Sequence, residues 1–166
     1  MKSSLSVSSA LEKLFDSFKS HEIKTRGRLP KVEQDENWIS PCEVGEADAD
    51  GLVSWQPVNI DESLSFDNVN TALGLSVHPD LVEYFCHSYS ENIALTTEDG
   101  ALELLFAWNR DDFDRLQQNI IGHIMMKRRL KQPVTLFFAV TDEEDFMLTL
   151  NNDNGEIWVE QVGCLP

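Results

Sequence analysis

The side chains that could do chemistry as a group in this sequence are carboxylates. The densest run is residues 142–145, four consecutive acids between two apolar segments. A calcium loop requires acids that alternate with other residues around a central glycine, and this run lacks both features. Residues 151–156 are closer to a calcium loop, but Asn154 and Gly155 between two strand patterns are explained by turn geometry alone. We therefore interpret both segments as solvated turns and predict no metal site.

The histidines do not form a recognisable ligand set. His78 and His87 have no second histidine or acid at metal-ligand spacing, and we interpret them as surface or helix-capping residues. His123 lies at the edge of an apolar stripe, where a buried imidazole requires a hydrogen-bond partner. That structural role is favoured over a catalytic one.

Motifs of the common enzyme classes are absent as well. The chain has no P-loop, no GxSxG, no HExxH and no dinucleotide-binding glycine pattern. The three cysteines are odd in number and far apart, which fits neither a disulfide framework nor a paired-cysteine metal site, so we expect reduced thiols. They are Cys42, Cys86 and Cys164. The sequence does not indicate an enzyme, and no cofactor is predicted.

Formal charge is segregated along the chain. The net charge is −16, yet residues 1–31 carry +4 and residues 110–131 carry +3. Residues 32–109 contain sixteen acids and no lysine or arginine, and residues 132–166 contain seven acids and no base. Acids without local bases give part of the surface a strong negative potential, which repels nucleic acid and anionic lipid and attracts a basic protein surface. The alternative that composition leaves open is acidity that serves only solubility.

The best-marked element is a helix that begins at Asn109 and ends before Pro133. Asn109 can cap it, Asp111 and Asp112 place negative charge in its first turn, and cations crowd its last turn. Its apolar stripe is formed by residues at helical spacing, namely Phe113, Leu116, Ile120 and Ile124, broadened by Ile121 and Met125. Lys127 projects from the same face, so it must extend to solvent, pair with an acid of the acidic stretch, or line a groove.

The N-terminal part of the chain is predicted to cover this helix. Ser9 followed by Glu12 matches a capping box, so residues 1–20 are predicted to form an amphipathic helix. Its polar face mixes both signs of charge, which favours packing on the domain over binding to a membrane surface. Residues 22–50 lose periodicity and collect glycine, proline and acids, so they are predicted to be an extended connection anchored by Trp38.

The remaining elements are short. A strand is predicted at residues 53–55, followed by two helices of which the first ends at Gly74 and the second starts at Pro79. Asp99 and Gly100 indicate a β-hairpin, and the later strands form an antiparallel meander. The predicted hairpin strands are residues 93–97 and 101–108, and the meander strands are residues 134–140, 146–150 and 157–162. Together these elements predict one α+β domain over residues 1–166, with a mainly antiparallel sheet and helices packed on one face.

Nothing in the sequence predicts insertion into a membrane. No apolar run reaches the roughly 18 residues of a membrane-spanning helix, and the N-terminus lacks the apolar centre of a signal peptide. We therefore expect a cytosolic protein without a transmembrane segment.

Several short runs resemble the Syd family of SecY-interacting proteins from Gram-negative bacteria. They occur in the same order and at the same spacing, from about Pro30 onward. The runs are residues 40–42, residues 53–57, Trp108 with residues 111–113, residues 118–119 with 121–123, and residues 129–131 with Pro133 and residues 135–137. The resemblance implies a SUKH-like fold, because this family belongs to the SUKH superfamily of α+β proteins.

The resemblance also implies a partner. It points to a cytoplasmic protein that docks peripherally at the inner membrane on cytoplasmic loops of SecY, in regulation or quality control of the SecYEG complex. Such loops are rich in lysine and arginine, so an acidic surface suits them. The superfamily includes toxin-immunity proteins, so the alternative hypothesis is an immunity-type inhibitor that blocks a basic toxin. Either way we expect a monomer that binds protein and not nucleic acid.

We predict that the partner-binding surface is formed by the hairpin turn, the start of the long helix and the end of the strand that follows the helix. If these ends converge on one face, their side chains form a single acidic surface. The predicted residues are Glu98, Asp99, Trp108, Asp111, Asp112, Asp142, Glu143 and Glu144. Asp111 and Asp112 also have a simpler interpretation as first-turn acids that stabilise the helix.

Overall fold

The computed structural model describes residues 5–161. Within this range helices combine with antiparallel sheets, which confirms the predicted α+β class. The helices are α1 (Val7–Arg26), α2 (Asp67–Leu73), α3 (Pro79–His87) and α4 (Arg110–Arg129). The strands are β1 (Lys31–Glu33), β2 (Glu43–Val44), β3 (Leu52–Trp55), β4 (Val58–Asn59), β5 (Ser88–Tyr89), β6 (Ile93–Thr97), β7 (Gly100–Leu104), β8 (Thr135–Thr141), β9 (Phe146–Asn151) and β10 (Ile157–Gln161). None of these four helices is both long enough and apolar enough to cross a bilayer.

Helix α4 has the ends that its sequence predicts. The Asn109 side chain accepts the backbone N–H of Asp112 at 2.8 Å and caps the first turn. Lys131, two residues after the helix, adopts a left-handed conformation with φ 55°, and Pro133 follows. These local signals fix the helix over 20 residues.

The predicted apolar stripe of α4 is confirmed at Phe113, Ile120 and Ile124, each at most 1% exposed. Met125 is 56% exposed, so the prediction that it broadens the stripe was wrong. At about 100° per residue, Met125 lies about half a turn away from Leu116 around the helix axis. The side chain therefore faces solvent while the stripe faces the core.

Strands β6 to β10 form one antiparallel sheet in the order β10-β9-β8-β7-β6. The predicted hairpin is β6–β7, and the predicted meander is β8–β9–β10. Strand β7 ends at Leu104 and not at Trp108 as predicted, because residues 105–109 leave the sheet to start α4. Strand β8 returns beside β7 after the helix, with Thr141 opposite Leu102.

Residues 22–50 contain regular structure that the predicted extended connection lacks. Helix α1 continues to Arg26 and ends at Gly27, whose φ of 70° is left-handed. Strands β1 and β2 then pair on either side of β3 in a separate three-stranded sheet. Strands of two or three residues are too short to show an alternating pattern in sequence. Their pairing nevertheless satisfies backbone groups that an isolated connection would leave to solvent.

Helix α1 begins earlier than the predicted capping box. Ser6 is the N-cap in place of Ser9, and its hydroxyl accepts the Ser9 N–H at 3.1 Å. The helix packs on the domain as expected. Leu11 and Phe15 are buried, and the Phe15 ring lies 5.3 Å from that of Phe106.

The main core joins α2, α3 and α4 to β8 and β9. Phe66 links the helices, because its ring contacts Phe85 of α3 and stands edge-on to Phe113 of α4. Leu136 and Leu150 extend the same core into the sheet. This packing sets the position of α4 relative to β8.

Candidate protein-binding surface

Two acidic turns meet at one end of the five-stranded sheet. One is the β6–β7 turn and the other follows β8. Because β7 and β8 are antiparallel neighbours, the start of β7 lies beside the end of β8. The contact is close, since a Cβ built on Gly100 would lie 3.4 Å from the Asp142 carboxylate. We name the acids of these turns the strand-end acidic cluster, which consists of Glu98, Asp99, Asp142, Glu143 and Glu144.

The strand-end acidic cluster is exposed and carries unbalanced charge. All five side chains belong to exposed residues, and none of them forms a salt bridge with a described residue. Acids of the cluster rim a trough of about 460 Å³, and the described residues that line it include no lysine or arginine. The apolar part of the trough is formed by Ala101, Leu102, Phe146, Leu148 and Val159. The surface thus combines negative charge with apolar area.

The predicted acids at the helix start lie elsewhere. Asp111 and Asp112 lie beyond the end of β7, whereas the cluster lies at the start of β7, and the length of β7 alone separates the two positions by about 13 Å at 3.3 Å per residue. Asp112 is half-buried and accepts hydrogen bonds from the Trp108 N–H and from Arg115, both at 2.8 Å. Asp111 is exposed and lines a different depression beside Arg110. The structure therefore brings together the predicted acids of the hairpin turn and of the end of β8, and it places the acids at the start of α4 apart from them.

Trp108 is largely a core residue. It is 7% exposed, and its indole stands edge-on to that of Trp55 at 5.8 Å. Its ring N–H donates to the Trp38 carbonyl at 3.2 Å, and its own carbonyl accepts from the Ser40 hydroxyl. The Asn109 side-chain amide also donates a hydrogen bond, to the Ile39 carbonyl at 3.0 Å. These bonds tie residues 38–40 to the start of α4, which is the anchoring expected near Trp38.

A third surface, which sequence reasoning missed, lies between α4 and the residues around β6. It is a cavity of about 300 Å³ lined on its aromatic side by Trp38, Trp108 and Phe137 and on its polar side by Glu91, Asp112 and Arg115. We name this cavity the aromatic groove. Glu91 lies in an irregular segment between β5 and β6, where neither spacing nor a motif singles it out.

The Glu91 carboxylate is the unusual group of the aromatic groove. Burial raises the pKa of Glu91 above its ordinary value, and the negative charges of Asp112 and Glu103 raise it further. No hydrogen bond from a described residue stabilises its charged form. The groove therefore holds a carboxylate that ionises less readily than an exposed glutamate and that a nearby cation would stabilise in its charged form.

Comparison with known proteins establishes the family. A family model described as Syd protein (SUKH-2) matches residues 8–166. The chain belongs to the Syd family. Protein Syd of Colwellia psychrerythraea is 50% identical over 159 residues, which covers 90% of this chain and 79% of the relative. Protein Syd of Alteromonas mediterranea is 46% identical over 162 residues, 98% of this chain and 88% of the relative, and Protein Syd of Shewanella baltica is 42% identical over 159 residues, 95% and 73%. The resemblance seen in the short runs is confirmed.

This Syd-family chain uses its remaining buried charges for structure. Lys127 pairs with Glu160 of β10 at 2.7 Å, so its partner comes from the last strand and not from the acidic stretch. Glu160 also accepts from the Thr135 hydroxyl, which contacts His123 Nε2 at 3.1 Å. Burial lowers the pKa of His123, which favours the neutral imidazole, and Thr135 is the hydrogen-bond partner that the predicted structural role requires. The network joins α4, β8 and β10.

The nearest approach to a catalytic constellation is a chain of three side chains from α1, α3 and β5. His87 Nδ1 lies 2.7 Å from the Ser88 hydroxyl, and His87 Nε2 lies 3.7 Å from a Glu12 carboxylate oxygen. Ser88 is 2% exposed, and its hydroxyl also donates to the Asn59 side chain at 3.3 Å. A nucleophile must reach the carbonyl that it attacks, so this buried hydroxyl is not placed for acyl transfer.

Cysteine and metal chemistry gain no support from the geometry. Cys42 and Cys86 are free, and burial raises the pKa of each thiol to about 11. A high pKa keeps a thiol protonated and unreactive at neutral pH. Cys164 lies outside the described residues. Among the residues that are described, no three His, Cys, Asp or Glu side chains come together as metal ligands.

Proposed function

We propose that this chain binds basic cytoplasmic loops of the SecY translocon subunit and thereby associates with the cytoplasmic face of the inner membrane, in regulation or quality control of the SecYEG complex. The observation that carries the proposal is the strand-end acidic cluster. Its two turns are more than 40 residues apart in sequence, yet they adjoin, and no lysine or arginine among residues 5–161 pairs with their acids. Membership of the Syd family supports the choice of SecY as the partner.

The chemistry of the surface suits a basic loop. Cytoplasmic loops of membrane proteins are enriched in lysine and arginine. A single exposed ion pair contributes only about 0 to 1 kcal/mol, so a cluster acts mainly by steering the partner and excluding acidic competitors. The apolar trough beside the cluster adds contact area that the methylene groups of lysine and arginine can cover.

Charge reversal tests this proposal. Replacing Asp142→Lys and Glu143→Lys should weaken binding to the detergent-solubilised SecY complex by about tenfold or more, which corresponds to about 1.4 kcal/mol. Binding is measured by surface plasmon resonance, and circular dichroism verifies the fold. The matched control is Glu46→Lys with Asp50→Lys, two exposed acids outside the cluster that change the net charge from −16 by the same four units.

The control separates a local site from general charge. Equal weakening by both double variants would mean that net charge alone drives the association, and unchanged binding by the cluster variant would refute the cluster as the binding site. Binding of a soluble basic toxin, without binding of SecY, would support the immunity-type hypothesis.

A further inference from the structure

The aromatic groove is the cavity whose lining best defines a ligand. At about 300 Å³ it lies at the lower limit of cavities that hold small molecules. That volume accommodates one long side chain of a partner more readily than a large cofactor. The two carboxylates of the groove, Glu91 and Asp112, favour a cation, and its indole rings favour a cation with a flat, weakly hydrated surface.

The groove already shows how a guanidinium binds there. Arg115 of α4 places its guanidinium carbon 5.5 Å from the centre of the Trp38 ring. The same group donates to Asp112 at 2.8 Å. The Arg115 side chain is 69% exposed, so this internal contact is held weakly and can be exchanged.

Glu91 is the carboxylate of the groove that Arg115 does not pair with. It shares the groove with Arg115, but no salt bridge joins the two side chains. Its charge is opposed by burial and by Asp112 and Glu103, so a cation brought in by a ligand would relieve an existing repulsion. The groove therefore gains more from an incoming cation than an exposed acidic patch does.

We infer that the aromatic groove binds an arginine side chain of the partner, which pairs with Glu91 and takes the place of Arg115 over Trp38. The inference rests on the proposed function only for the expectation that the partner segment is basic. Arg115 acts as an internal competitor that covers Trp38 until the partner arrives. The strand-end acidic cluster and the groove are then two separate contacts for one basic partner.

A peptide titration tests the ligand chemistry without SecY. The probes are acetyl-Gly-Arg-Gly-amide and the same peptide with citrulline or lysine in place of arginine, added to the 15N-labelled full chain. The arginine peptide should shift the indole N–H signals of Trp38 and Trp108 and leave that of Trp158, which does not line the groove, unchanged. Citrulline has nearly the same shape without the charge and should give no shift, and lysine should bind more weakly.

Two substitutions test the roles of the groove residues. Glu91→Gln preserves shape and should weaken binding of the arginine peptide by about tenfold, about 1.4 kcal/mol, whereas Glu98→Gln should not. Arg115→Gln removes the competitor and should strengthen binding. Arg129→Gln removes the same charge from an exposed position in the last turn of α4 and should have no such effect.

The outcomes distinguish this inference from the proposed function. Three results would each overturn the arginine site, even if SecY still bound the strand-end acidic cluster. They are equal indole signal shifts with the arginine and citrulline peptides, equal affinity for the lysine and arginine peptides, and unchanged affinity of Glu91→Gln for the arginine peptide. Weaker peptide binding by Arg115→Gln would show that Arg115 holds the groove together and does not compete. Arginine-specific binding in a chain that fails to bind SecY would leave the groove established and remove SecY as its partner.

Discussion

Glu91 shows how a single residue can trade stability for binding. A half-buried carboxylate without a hydrogen-bond partner among the described residues costs folding free energy, and a perturbed carboxylate in a cavity is a candidate for binding. The Asp112 carboxylate a short distance away is different, because it accepts the Trp108 N–H and an Arg115 N–H. Two acids of the same groove therefore differ in role: Asp112 fixes the residue before the helix N-cap, and Glu91 is free to pair with a ligand.

The residue-scale prediction is that Glu91→Gln stabilises the free protein at neutral pH. The pKa of Glu91 is higher in the folded chain than its ordinary value of 4.5, so ionisation favours unfolding and the parent protein loses stability as pH rises through the folded-state pKa. Glutamine does not titrate. Melting temperatures measured from pH 4 to pH 8 should therefore diverge in favour of the variant as pH rises.

The control for this prediction is Glu98→Gln at the exposed β6–β7 turn. That variant should stay within about 0.5 kcal/mol of the parent protein at every pH, as surface substitutions usually do. The prediction would be contradicted if the difference in melting temperature between Glu91→Gln and the parent became smaller as pH rises. Such a result would mean that the ionised Glu91 is stabilised in the folded protein.

At the scale of elements, the network from α4 to β10 fixes the edge of the sheet. Strand β10 pairs with β9 on one side only, and its outward side chains Ile157 and Val159 are 55% and 65% exposed. Burial alone would raise the pKa of Glu160, but the hydrogen bonds from Lys127 and Thr135 outweigh it and lower the pKa. The Lys127–Glu160 pair thus ties an otherwise lightly covered strand to the long helix.

Lys127→Met should destabilise the fold by about 3 to 5 kcal/mol, because it leaves Glu160 without its cation in a mostly buried position. The side chains of Lys127 and Glu160 are only 6% and 16% exposed. Urea unfolding measures the loss, and hydrogen exchange should show β10 losing protection first. Adding Glu160→Met should recover most of the loss, whereas Lys19→Met, at an exposed pair 4.0 Å apart, should cost less than about 1 kcal/mol. An intact free energy of unfolding in Lys127→Met would show that the pair does not hold the strand.

The elements also show which parts of the fold can be predicted from sequence. Helix α4 was predictable because Asn109, its charged turns and Pro133 are local signals, and the hairpin was predictable from Asp99 and Gly100. Strands β1 and β2 were not, because two or three residues carry no period. The partner of Lys127 was not predictable either, since 33 residues separate it from Glu160 and only the packed fold joins them.

The same distinction holds for the candidate surface. Turn acids at Asp99 and Asp142 were predictable as exposed charges, and the antiparallel order of β7 and β8 explains why they meet. The aromatic groove depends on contacts among α4, the segment before β6 and the loop that carries Trp38. No local pattern in the sequence encodes a cavity of that kind.

The whole molecule is acidic enough for charge to control how it meets a partner. Its net charge is −16, and the segment with the most acids contains no lysine or arginine. Long-range attraction between such a surface and a basic loop raises the rate of encounter more than it strengthens the final complex. Screening by salt therefore tests whether charge controls the encounter.

Association with the SecY complex should slow markedly as salt is raised from 50 mM to 500 mM, because the Debye length shortens from about 10 Å at 0.1 M to about 3 Å at 1 M. Stopped-flow or surface plasmon resonance measures the association rate constant. The variant with Asp142→Lys and Glu143→Lys should show a shallower salt dependence than the parent. A rate constant insensitive to salt in the parent protein would mean that apolar contact, and not charge, controls the encounter.

The meeting of the β6–β7 turn with the end of β8 makes the acidic surface a product of folding. Helix α4 lies between the two halves in sequence, so neither the first 110 residues nor the last 35 present the complete cluster alone. A basic ligand that touches both turns binds only chains in which β7 and β8 are paired, and it shifts the folding equilibrium towards them by mass action. Ligand binding and closure of the sheet are thermodynamically linked, and a chain whose synthesis stops before β8 lacks half of the site.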